Sequence, residues 1–183
     1  MGAEPDGGPS GWWFDRRTAR VRVAVEALEL PPAVFRTCPF EPRELIETGL
    51  RQWLRCCGAA LLDRQVIGMP SYAVDEAWHG LILCTGRYQA FCRAAYGRFL
   101  HHHPEGGAPP GAARRSGSMH EQLRRTAVAW SLVARPGEEC VLWDLDARVG
   151  APGFAGQGVQ AAPRPPGSAP GPAGRPAERR APA

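Results

Sequence analysis

Apolar residues recur at helical spacing through most of the middle of the chain. From Thr18 to Leu30, Val21, Val25 and Leu28 fall on one helical face, although Val21, Val23 and Val25 also alternate as a strand would. No partner strand follows nearby, so the spacing predicts a helix, stopped by Pro31 and Pro32. Glu41-Pro42 opens a second helix, with proline at an early position where its missing N–H costs nothing. Leu45, Ile46, Gly49, Leu50, Trp53, Leu54 and Cys57 form its apolar stripe, opposite Arg43, Glu47, Arg51 and Arg55. The pattern continues toward Leu62, and Asp63 to Pro70 reads as a loop.

The segment Met69 to Pro104 carries the strongest signals. Ser71 is a good N-cap, and Asp75 and Glu76 suit the positive end of a helix dipole. On one unbroken helix, Trp78, Leu81, Thr85, Tyr88, Cys92 and Tyr96 would share the apolar arc, with Asp75 and His79 outside it. Gly86 weakens such a helix and Thr85 can cap a new one, so two helices are expected, roughly 72–84 and 86–97. Gly97 ends the second, before Phe99-Leu100-His101-His102-His103-Pro104. Further on, Ser118 and Glu121 make a capping box. The helix they open places Met119, Leu123, Ala127, Trp130 and Val133 on one face, ending before Pro136. Leu142, Trp143, Leu145 and Val149 then suggest a short closing helix.

Composition sets the limits of this domain. Residues 1–11 and 151–183 are mostly Gly, Pro, Ala and Arg, and 105–117 is similar, so a disordered leader, a disordered tail and a mobile linker are expected. Residues 12–150 remain as the helical domain, with Trp12-Trp13-Phe14 as its first apolar group. The fold expected is mainly α, a compact bundle of four to six helices. All 22 basic residues are arginine, and the chain lacks lysine and asparagine, a bias expected of GC-rich coding. The formal charge of +4 is spread along the chain, with arginines also in the tail, so no nucleic-acid partner is expected. No apolar run has the length of a membrane span, and no signal peptide is apparent. The six cysteines include no Cys-x-x-Cys pair and read as reduced, buried thiols of a cytoplasmic protein.

The candidate chemistry is a metal site. Four of the five histidines lie between Met69 and Pro104. Asp75 and His79 are four residues apart, on one helical face. With His101 and His102 they supply the donor types of a divalent transition metal such as zinc or iron. The spacing matches no established metal signature. His101 also lies 22 residues beyond His79, so an unbroken helix would part them by roughly 30 Å. A shared ion therefore requires a break near Thr85 and a fold-back, or a second subunit. Without an ion, Asp75 and His79 would share a hydrogen bond, and the later histidines would serve the negative end of the helix dipole. Trp78, Tyr88 and Cys92 are expected as structural neighbours of the site. Catalytic residues are not identifiable: no base or cation lies in sequence reach of a cysteine, and no Gly-rich loop follows a strand.

The run Val74-Asp75-Glu76-x-Trp78-His79, Thr85, Tyr88, Phe91-Cys92, Gly97-Arg98-Phe99-Leu100-His101-His102 and Pro104 resembles an uncharacterised bacterial family common in actinobacteria. That family resembles in turn the helical region of plant glycine-rich domain proteins, where Asp-x-x-Trp-His is followed by Tyr and later by Gly-x-x-x-x-His. The likeness covers about 36 residues well and Leu45 to Leu62 more weakly. It marks Asp75, Trp78, His79, Tyr88, Cys92, Gly97, His101 and His102, and it places His103 at a variable position. In the plant relatives a proline interrupts the segment near Thr85; this chain lacks it. The leading expectation is a small cytoplasmic helical protein with an Asp/His site for a divalent metal. The alternative is a helical module that docks an unknown protein partner without metal or catalysis, and a metal-dependent hydrolase or oxygenase ranks third.

Overall fold

The computed structural model describes residues 9–102 and 117–153, with side chains from Arg16 onward. Expectations for residues 1–8, 103–116 and 154–183, and for the side chains of Trp12, Trp13 and Phe14, lie outside the described residues. Among those residues the fold is mainly helical. Its helices are α1 (Pro9–Glu26), α2 (Arg43–Leu62), α3 (Tyr72–Leu83), α4 (Thr85–Tyr96), α5 (Met119–Val133) and α6 (Leu145–Val149), with a 3-10 turn at Pro32–Phe35. The first helix begins at Pro9, inside the expected leader and well before Thr18. No described helix is long and apolar enough to cross a membrane.

The hub is α2, which packs against α1, α3 and α5. Its expected apolar stripe is buried apart from half-buried Leu45, but so is nearly every other position from Gly49 to Ala60. Arg55, assigned by spacing to the polar side, is buried. Its guanidinium pairs with Glu138, donates to Val133 O at 3.3 Å and lies 5.3 Å from the Trp130 ring centroid. Gln52 is buried too, with its amide donating to Glu139 O at 2.8 Å and accepting from Val141 N at 3.0 Å. Both polar residues are satisfied by the end of α5 and the segment after it, which is why burial does not expel them.

Arginines from neighbouring elements close several helix ends, where backbone carbonyls lack partners and the dipole is negative. Arg20 of α1 donates to Ala94 O at 2.7 Å and Arg93 O at 3.0 Å, near the end of α4. Arg51 of α2 donates to Val25 O and Leu28 O at the end of α1. The buried face of α5 is Leu123, Thr126, Ala129 and Trp130; Leu123 and Trp130 belong to the expected row, whereas Ala127 and Val133 are half-buried and Met119 is exposed. Thr126 shifts that face because its hydroxyl donates to Gly68 O at 2.7 Å and accepts from Gly68 N at 3.1 Å.

The expected two helices form as α3 and α4, with one residue between them. Cys84 (φ −77°, ψ 57°) turns the chain. Thr85 does not cap: it is the first residue of α4, and Cys84 holds the N-cap position without a side-chain bond. α3 is pressed against the 3-10 turn. A Cβ at Gly80 would lie 1.8 Å from Val34 O, so only glycine permits this approach.

Candidate metal centre

The first turn of α3 is fixed from two sides. Ser71 Oγ accepts from Val74 N at 3.2 Å, the expected cap. From α6, Asp146 accepts from Ser71 Oγ at 2.7 Å, Tyr72 N at 2.8 Å and Ala73 N at 3.0 Å. A carboxylate thus takes the free N–H groups at the positive end of α3. Nothing in the sequence near residue 146 pointed to this partnership across 75 residues. With α3 held, Asp75 and His79 project from one face, one turn apart.

The third donor arrives by a fold-back. Gly97 ends α4 in the left-handed region (φ 72°) and releases the chain from the helix. Tyr88 then holds the outgoing segment. Its hydroxyl donates to Leu100 O at 2.8 Å and accepts from the Trp78 indole N–H at 3.3 Å. Burial pushes the Tyr88 phenol well above its ordinary pKa, which keeps it a donor. The Phe99 ring meets Tyr88 edge-on at 5.2 Å. His102 lands with its ring 4.7 Å from that of Trp78 and 4.5 Å from that of His79, both in T-shaped contact. Trp78 is buried, and its other ring neighbour is Trp53 of α2, at 5.7 Å.

The resulting group is Asp75, His79 and His102, with one donor atom of each within 4.8 Å of the others. His79 Nε2 and His102 Nε2 are 3.2 Å apart. Asp75 Oδ1 is 3.5 Å from His102 Nε2, and Asp75 Oδ2 is 3.8 Å from His79 Nε2. A tetrahedral zinc ion with bonds of about 2.0–2.1 Å needs donor atoms roughly 3.3 Å apart. The group is therefore close to the size of a coordination shell. The side chains of Asp75 and His102 are each 18% exposed and that of His79 is 38% exposed, so the group lies at the surface over a buried tryptophan.

Glu76 is the residue that the sequence reading undervalued. Its Oε1 lies 3.7 Å from Nδ1 of His79, the nitrogen turned away from His102. The i, i+3 spacing was the available signal. A carboxylate beside Nδ1 favours a proton there and leaves Nε2 with its lone pair toward the group. His101 is not brought into the group: its ring packs on Phe99 at 4.9 Å. Cys92 stays a packing neighbour, fully buried, with its thiol pKa raised by burial.

Residues 35–133, more than half of the 183-residue chain, match the family described as UCP032817-like. The chain belongs to the UCP032817-like family. No curated protein and no solved structure matches it. In this UCP032817-like chain the matched region contains α2 to α5, and with them Asp75, Glu76, His79 and His102.

Proposed function

We propose that the protein binds one divalent transition metal, zinc or iron, through Asp75, His79 and His102. The observation that carries this reading is the 3.2 Å approach of two imidazole Nε2 atoms beside a carboxylate. Two lone pairs at that separation repel unless a cation or a proton lies between them, and the neighbouring Asp75 oxygens supply the anionic donor a cation requires. Imidazole and carboxylate together suit zinc and ferrous iron. Glu76 orients His79 from behind.

The rival reading places a proton, donated by one ring to the other, between the two nitrogens, and makes the group a structural hydrogen bond. Metal analysis and calorimetric titration of a tag-free preparation separate the two. The metal reading expects one ion per chain, lost in His79→Ala and in His102→Ala, retained in His101→Ala, and bound about 10–100-fold more weakly in Glu76→Gln. Zinc should raise the melting temperature of the parent and leave that of His79→Ala unchanged. Absence of stoichiometric metal, with no thermal response to zinc, iron or manganese, would refute it and favour the structural pair.

A further inference from the structure

If the group holds a metal, its chemical character depends on how many positions the protein leaves open. Structural zinc sites are closed by four protein ligands, whereas reactive sites keep a position for water or substrate. Among the described residues the group offers three donors. Two candidates for a fourth are turned elsewhere. Glu76 faces Nδ1 of His79, on the far side of that ring from the shared Nε2. His101 packs on Phe99. The inner side of the group is sealed by Trp78, whose ring meets His102 at 4.7 Å. The outer side is not: the His79 side chain is 38% exposed.

We infer that the bound metal keeps at least one exchangeable coordination position on its solvent side, occupied by water at rest and open to a small anionic donor. This rests on the metal reading above. Charge favours an anion at that position. Two neutral imidazoles and one carboxylate leave a divalent ion with one uncompensated positive charge in its inner shell, which a monoanion neutralises. Such a centre polarises its bound water and admits a substrate oxygen directly to the metal, which a closed structural site cannot do.

Cobalt(II) loading with azide as the probe tests this. Cobalt(II) takes the same donor types, and its visible spectrum reports coordination number and ligand change. The expected result is stoichiometric cobalt(II) binding to the full chain, then a saturable change in the visible bands on adding azide. His79→Ala should show only the spectrum of free cobalt(II) with azide. A cobalt(II)-loaded protein whose bands ignore azide would overturn the inference and leave the metal reading standing, with a closed shell. Failure to bind cobalt(II), zinc or iron at all would overturn the metal reading and this inference with it.

Discussion

The Tyr88 hydroxyl is the smallest group on which the site's geometry depends, so its removal is an informative perturbation. Tyr88 is fully buried, and Tyr88→Phe keeps the ring that packs on Phe99 while deleting one oxygen. Two hydrogen bonds are lost, one to Leu100 O and one from the Trp78 indole. Each is worth about 1 kcal/mol net. The two losses differ in kind. Leu100 is half-buried, and its carbonyl can recruit water; the indole of buried Trp78 loses its partner in the interior. The sum is about 2 kcal/mol, which for a chain of this length lowers the melting temperature by about 4–8 °C. The loss should also reach the metal. Leu100 is the anchor two residues before His102, so zinc affinity should fall by about tenfold while the stoichiometry stays at one. Thermal unfolding and calorimetric zinc titration of the same preparation read both effects. A variant that melts within about 1 °C of the parent and binds zinc equally well would refute the idea that this hydroxyl holds the 97–102 segment.

Three further outcomes are expected. Asp146→Ala should cost about 2 kcal/mol in urea unfolding, because it removes a charged acceptor from three donors at the start of α3; a neutral result would show that the cap is dispensable. Gly80→Ala should cost about 3 kcal/mol or more, since the new methyl meets backbone at Val34 and α3 must shift; a fold of parental stability would show that the 3-10 turn yields. Burial pushes the Cys140 thiol up to about 12 and raises Cys38, Cys56, Cys57 and Cys92 as well. The folded state then holds these protons more tightly than the unfolded chain, so their contribution is complete below about pH 8.5 and is lost as pH rises toward the folded values. Urea unfolding under reductant should show stability falling by about 1.4 kcal/mol per pH unit for each such thiol; a flat profile to about pH 10 would show that the thiols reach solvent.

Much of this architecture was readable because its signals are local. The helical spacing of α2, the Ser71 and Ser118 caps and the Gly97 terminator each act within one turn of chain, and each forms as read. The break into two helices followed from the weakness near Thr85 and Gly86, although Cys84 makes the turn. What was not readable depends on distant partners. Spacing alone puts Arg55 outside; only Glu138 and Val133, some 80 residues on, make its burial affordable. His101 and His102 were equivalent by sequence. Residues 97–102 are not helical, and contact with Trp78 rather than Phe99 decides which ring joins the group. Asp146 carried no local signal, because its donors lie more than 70 residues earlier.

The Asp146 cap also bears on the order in which the protein is made. The three proposed donors, Asp75, His79 and His102, lie within one short stretch of chain, and all have been synthesised before α5 and α6 exist. The helix that presents two of them receives the carboxylate for its first turn only when residue 146 emerges. A nascent chain therefore holds every donor while the start of α3 is still free to fray. Final shaping of the site waits for a late-synthesised part of the domain, so a chain halted before α6 would carry the donor set without the geometry.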